Sequence, residues 1–321
     1  MPRPHVFVAR QLPHAVVEIL EPVCDLRMWP NEAAPIPRDH LLAEVAEADG
    51  LLALLTDRVD QELLDAAPKL KIVANMAVGY DNVDLAALRA RNVLLTNTPG
   101  VLTETTADLA WALMLAASRR VVESHHLIQQ GGWKTWSPMF LVGQDIYGAT
   151  LGVVGAGRIG SAVLRRAAGF GMQLCYHNRR PAPDLEATTG AHYLGLDDLL
   201  RQADIVVVLL PLSNETRGMF GAREFALMKE TAIFVNVARG PIVQEQALYE
   251  ALKAGRPWAA GLDVFEREPI GADHPLLSLP NVVATAHIGS ASVATRTRMA
   301  TTAARNLAAF FRGEAPPNLV I

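Results

Sequence analysis

The chain has 321 residues, half of them hydrophobic and 19% charged, with a formal net charge of −4. At roughly 150 residues per domain this suggests two domains, with enough apolar material to bury real cores; a disordered chain is excluded. A general nucleic-acid binder carries a basic surplus, and this chain has none.

From the N-terminus, Val6–Ala9, Gly50–Leu55, Lys71–Asn75 and Val93–Asn97 read as strands, with helices around 13–21, 38–47, 60–67 and 84–90. Strand–helix alternation predicts a parallel, doubly wound sheet. Pro99-Gly100 breaks the pattern. A long, largely buried helix then starts at Thr103, where Thr103 with Glu104 or Thr106 suits a cap. Arg119-Arg120 suit its C-terminal end, and Gly131-Gly132 is expected to interrupt it. A loop follows, Trp133-Lys-Thr-Trp136-Ser-Pro138.

A second alternating series runs from Ala149 to His287, with strands at 150–155, 172–177, 204–209, 231–237, 259–263 and 281–284. These six strands are what a full Rossmann sheet needs. The last helix, Ala291–Arg312, is expected to return to the first sheet, which lacks a covering helix. The expected fold is therefore α/β, with two Rossmann-like doubly wound parallel-sheet domains. The first is discontinuous, residues 1–100 plus 289–321, and flanks the second, residues 101–288.

The strongest local signal is Thr150-Leu-Gly-Val-Val-Gly155-Ala-Gly157-Arg-Ile-Gly160. An apolar strand enters Gly-x-Gly-x-x-Gly and a helix leaves it. Gly155 permits the tight turn, Gly157 lets backbone approach a pyrophosphate, and Gly160 lets the helix pack closely on the strand. The helix N-terminus offers free N–H groups and positive potential to phosphates. At the end of the second strand, NAD enzymes place an acid on the ribose. This chain instead reads Asn178-Arg179-Arg180, with no acid before Asp184. Two guanidiniums suit a 2′-phosphate, so NADP(H) is expected over NAD(H), which stays possible.

Three strand ends carry further chemistry: Arg239-Gly240, the acids after Asp263, and His287. In an open parallel sheet, ligands gather at the carboxyl ends of strands. A 2-oxo acid needs a cation for its carboxylate, which Arg239 supplies. It also needs a proton for its carbonyl oxygen as hydride reaches C2, which His287 supplies. A carboxylate such as Glu268 beside the imidazole favours its charged form and fixes the ring. Glu266 competes for that place, but the spacing before Pro269 favours Glu268.

With these segments in hand, the chain closely resembles the D-isomer-specific 2-hydroxyacid dehydrogenase family, nearest to glyoxylate/hydroxypyruvate reductases. The resemblance rests on Val78-Gly-Tyr-Asp-Asn82, Asn97-Thr-Pro-Gly100, Thr103-Glu-Thr-Thr-Ala-Asp108, the Gly155 loop, Asn236-Val-Ala-Arg-Gly240, Gly261-Leu-Asp-Val-Phe265, Glu268-Pro269 and His287-Ile-Gly-Ser290. It implies that Arg239, Glu268 and His287 are catalytic and that Asp263 sits near the nicotinamide. It extends the cofactor contacts to Thr106, Arg158, Ile159, Pro211, Thr216, Val237, Ala238 and Gly289. Substrate is expected on Leu55, Ala77, Val78 and Gly79 besides Arg239 and His287, with Leu54 and Met76 making the pocket partly apolar. It further implies a homodimer in which Trp136 reaches toward the partner's active site; Trp133 reads as packing.

The expected reaction is NADPH-dependent reduction of glyoxylate or hydroxypyruvate to the D-2-hydroxy acid, with 2-ketogluconate or another longer 2-oxo acid as alternative. Phosphoglycerate oxidation is disfavoured by the arginine pair. A different class, an NAD(H)-sensing corepressor-like binding protein, would bring added peptide-binding surface. No metal is expected: Cys24 and Cys175 sit apart in apolar stretches, and the adjacent His125 and His126 face different sides of a helix. Two buried thiols fit a reducing cytoplasm. No signal-peptide run opens the chain, and no membrane span or nucleic-acid partner is expected.

Overall fold

A computed structural model describes residues 3–321; Met1 and Pro2 of the N-terminal stretch lie outside it. The chain divides into two compact units. One runs up to Leu102 and resumes at Ala291–Ile321; the other is Thr103–Ser290.

The first unit alternates β1 (His5–Val8), α1 (His14–Leu20), β2 (Asp25–Met28), α2 (Arg38–Val45), β3 (Gly50–Ala53), α3 (Gln61–Ala66), β4 (Ile72–Asn75), α4 (Leu85–Ala90) and β5 (Leu94–Thr96). All pairings are parallel, in the order β2-β1-β3-β4-β5. Every residue of β3 and β4 is buried, as expected of parallel strands covered on both faces. β2 has no place in the sequence reading. Asp-Leu-Arg-Met at the sheet edge is partly solvated along its whole length, so no apolar run announces it.

The second unit begins with α5 (Thr103–Ser118) and α6 (Val121–Gln129). The expected single helix breaks at Arg120, which is left-handed (φ 52°), rather than at Gly131-Gly132. The cause is tertiary. The amide of Gln144 donates to the Ser118 carbonyl, and a Cβ on Gly143 would lie 2.1 Å from that same oxygen, so the returning loop lies across the end of α5.

β6 (Thr150–Val154), α7 (Arg158–Arg166), β7 (Gln173–His177), α8 (Pro183–Thr189), β8 (His192–Tyr193), α9 (Leu196–Gln202), β9 (Ile205–Val208), α10 (Ala222–Leu227), β10 (Ile233–Asn236), α11 (Glu245–Lys253), β11 (Ala259–Leu262) and β12 (Val282–Ala284) follow. The seven strands are parallel in the order β12-β11-β10-β9-β6-β7-β8. That is the Rossmann order with one further strand, and its winding reverses between β6 and β9. The expected six strands become seven because β8 is a two-residue edge strand. Asp197 and Asp198 lie in the first turn of α9, paired with Arg201.

One core cluster of this unit includes Trp111, Met114, Val163 and Tyr176, and a second includes Phe220, Phe225, Phe234 and Leu248. α12 (Val293–Phe311) returns to the first unit and packs on β3, β4 and α1. The Ser292 side chain accepts from the Thr295 amide at its start. A Cβ on Gly50 would meet the Phe311 ring at 2.9 Å, so the end of the helix lies close over this strand. Among the described residues no helix is long and apolar enough to cross a membrane, and no cluster of metal-ligating side chains forms.

Candidate active site

The Gly-rich loop follows β6 at the winding reversal. Gly155 has φ +97°, and a Cβ there would lie 2.7 Å from the Leu209 carbonyl carbon, in the segment after β9. A Cβ on Gly160 would lie 2.7 Å from the Gly155 oxygen. Gly157 faces open space instead. The N–H groups of Arg158, Ile159 and Gly160 open α7 with no acceptor among the described residues. The Ala156 amide is already spent on the Asn178 side chain at 2.8 Å, which ties the loop to the end of β7. Two glycines forced by close packing, a third facing open space, and three free N–H groups at a helix N-terminus fit a dinucleotide pyrophosphate.

Arg179 and Arg180 are exposed beyond β7 and make no ion pair among the described residues. Across the reversal, Thr216 donates its hydroxyl to the Pro211 carbonyl at 2.7 Å and receives the Ser213 amide. Glu215 in this turn has its carboxyl held below the usual range, mainly by the Ser213 hydroxyl and in part by the charge of Arg179.

The end of β10 is shaped by Asn236, a buried residue that the sequence reading quoted only as part of a motif. Its side chain accepts from the Ala238 amide and donates to the Arg239 carbonyl, closing the turn that carries Val237, Ala238 and Arg239. A Cβ on Gly240 would fall 1.8 Å from the backbone of Phe265, so the strand ends of β10 and β11 touch at this glycine.

His287 follows β12, and its Nδ1 lies 2.7 Å from Glu268 Oε2. A carboxylate only accepts, so Nδ1–H donates and Nε2 is left to carry the exchangeable proton. The other oxygen of Glu268 accepts from the Phe265 amide at 2.9 Å. Burial pushes the Glu268 carboxyl up. The hydrogen bonds from His287 and Phe265 and the positive charges of His287 and Arg239 outweigh this and hold it below the ordinary range. Glu266, the competitor, is exposed.

Asp263 is buried, and three donors within this unit converge on its carboxylate: Thr285 Oγ1 at 2.6 Å, Ile288 N at 2.7 Å and Gly289 N at 2.8 Å. Its carbonyl accepts from the His287 amide. Thr106, buried on α5, lies against Gly289. Thr285 gave no signal in the sequence.

In the first unit, the Asn97 and Asn75 side chains donate to the carbonyls of Val78 and Gly79. The N–H groups of Val78 and Gly79 have no acceptor among the described residues, while the Ala77 amide is used by Asn75. Leu55 is half-buried, but Met76 is buried and Leu54 packs against the core, so the apolar lining expected from these two is largely spent on packing. Trp136 is 75% exposed, and Trp133, expected to pack, is 59% exposed.

Residues 111–289 match the family model described as D-isomer specific 2-hydroxyacid dehydrogenase, NAD binding domain. A glyoxylate reductase of Korarchaeum cryptofilum is 50% identical over 319 residues, covering 99% of this chain and 96% of that protein. The chain belongs to the D-isomer specific 2-hydroxyacid dehydrogenase family. A solved structure from Thermus thermophilus superposes with a TM-score of 0.92 at 45% identity, covering 99% of this chain and all of that one. An NADPH-dependent glyoxylate/hydroxypyruvate reductase of Sinorhizobium meliloti, solved with NADP and malonate, gives 0.84 at 34% identity, covering 99% and 97%. The family match includes the Gly155 loop, Arg239, Glu268 and His287.

Proposed function

We propose that the protein reduces glyoxylate or hydroxypyruvate to the D-2-hydroxy acid with NADPH. The observation that carries this reading is the 2.7 Å pairing of His287 with a carboxylate kept ionised, in the same unit as a Gly-rich loop with free N–H groups. The relatives at about half identity act in their printed names on glyoxylate, and a solved neighbour is NADPH-dependent.

The N–H groups of Arg158, Ile159 and Gly160 hold the pyrophosphate, and Arg179 and Arg180 hold a 2′-phosphate. Reduced nicotinamide, when bound, supplies hydride to C2 of the oxo acid. Arg239 binds carboxylate and polarises the carbonyl. His287 gives its Nε2 proton to the carbonyl oxygen and recovers it in the reverse reaction. Glu268 stabilises the imidazolium and fixes the ring. The free N–H groups of Val78 and Gly79 bind a substrate carboxylate. The exposed apolar face around α6 and Trp136 forms a homodimer contact, with Trp136 reaching the partner's site.

A substrate panel of glyoxylate, hydroxypyruvate, pyruvate and 2-ketogluconate, each with NADPH and with NADH, tests the reading. Glyoxylate and hydroxypyruvate with NADPH should give the highest kcat/KM. Arg179→Ala with Arg180→Ala should raise the NADPH KM and leave the NADH KM nearly unchanged. Turnover of none of the four acids would remove the activity, and an NADPH KM untouched by the double variant would remove the cofactor preference.

A further inference from the structure

A second carboxylate–imidazole pair stands behind the first. Glu245 is the first residue of α11, where an acid ordinarily faces the helix N-terminus and solvent. Here its side chain is only 17% exposed and turns away from its own helix. Oε1 accepts from the Glu266 amide at 2.6 Å, and Oε2 lies 3.3 Å from His274 Nε2. The His274 ring meets the Phe265 ring edge-on at 5.5 Å, and its Nδ1 is buried with no partner. The His274 side chain therefore has one polar contact, and that contact fixes Glu245.

The consecutive amides of Phe265 and Glu266 are thus held by two carboxylates, Glu268 from one side and Glu245 from the other. On the third side, the Phe265 carbonyl rests on Gly240 with no room for a Cβ. Glu268 sits three residues along this clamped turn and delivers its other oxygen to His287. We propose that Glu245 and His274 are positioning residues that set the place of Glu268 and so orient His287 for proton transfer. This rests on the proposed catalytic role of Glu268 and His287. The charged groups facing Glu268 are His287 and Arg239; His274 faces Glu245, and the Asp273 carboxylate lies over Gly271.

The test measures kcat and KM for glyoxylate as a function of pH, together with the dinucleotide Kd by fluorescence, in Glu245→Ala, Glu245→Gln, His274→Phe and Glu268→Gln. A full 1 Å misplacement can cost about 10²-fold, and partial loosening of the turn should lower kcat in Glu245→Ala by about tenfold. The pH at which reduction is lost should move down in Glu245→Ala, in the direction given by Glu268→Gln, with the dinucleotide Kd unchanged. Glu245→Gln keeps an acceptor for the Glu266 amide and should recover most of kcat. His274→Phe keeps a ring against Phe265, removes the partner of Glu245 and should give the same displacement in smaller degree. A wild-type pH profile in Glu245→Ala or in His274→Phe overturns the pair. So does a fall in kcat with an unmoved profile, the mark of a merely structural loss. If Glu268→Gln itself leaves the profile unmoved, the catalytic reading fails and takes this inference with it.

Discussion

His287 lies in the left-handed region, φ +53°, which is uncommon for residues other than glycine, with asparagine, aspartate and histidine the ones that enter it most. Such a conformation costs on the order of 1–3 kcal/mol and persists only where neighbours over-determine it. Asp263 supplies that determination through its three side-chain contacts and its carbonyl, all within five residues of His287. This governs how the imidazole should be removed. Alanine at 287 would combine loss of the proton donor with backbone strain, whereas asparagine tolerates the left-handed region. His287→Asn should therefore lower kcat by about 10²–10⁴-fold, the range for acid catalysis, in both reaction directions. The dinucleotide Kd should stay at the wild-type value. Single-turnover and binding measurements check both; near-normal turnover would take His287 out of the proton path.

At the scale of the element, the loops after β3 and β4 are joined through the Asn82 side chain, which donates to the Leu54 and Asp57 carbonyls. Asp57 is 3% exposed, and its carboxylate accepts from the Leu54 amide. Burial drives its carboxyl up from 3.8 to about 6, against that hydrogen bond and the charge of Arg10. A raised folded-state value favours the protonated form. The resulting stability is full below about pH 4 and is lost as pH rises through about 6, a cost on the order of 3 kcal/mol at neutral pH. Asp57→Asn keeps an oxygen for the Leu54 amide without the charge. Urea unfolding should show the variant more stable at neutral pH, with a flatter pH dependence between those values; a variant less stable than wild type at neutral pH would contradict this. Nothing in the sequence around Asp57 signals burial, because the group is enclosed by the folding-back of two loops. The same reason explains the other omissions. β2 and β8 are solvated edges, the break at Arg120 comes from a loop docking on Ser118, and Glu245 meets Glu266 across 21 residues. The central strands were readable because their continuous apolar runs are what two-sided burial requires. The Gly155 loop was readable because each glycine answers a local steric demand, whereas the contacts of Asp263 with Thr285, Ile288 and Gly289 appear only once the ends of β11 and β12 are side by side.

At the scale of the whole molecule, α6 is an anomaly for a protein acting as a single chain. It buries none of its nine residues. Val121 and Ile128 are more than half exposed, and the loop beyond adds Trp133, Trp136 and Met139, each at least 59% exposed. Apolar surface concentrated on one helix and its following loop is what the proposed homodimer contact would cover, since monomers rarely leave large contiguous apolar patches open. Full burial of one such side chain is worth about 1.5–3 kcal/mol, the driving force on which the proposed homodimer would draw. Light scattering after size exclusion should give twice the chain mass. Ile128→Asp places a charge in the contact and should shift the protein to a monomer, whereas Trp136→Ala should leave the dimer and raise the KM for glyoxylate. Dilution of wild type should also red-shift the tryptophan emission as Trp133 and Trp136 return to water. A wild-type protein that runs as a monomer while fully active would show that the patch serves some other contact and that Trp136 has no part in a neighbour's site.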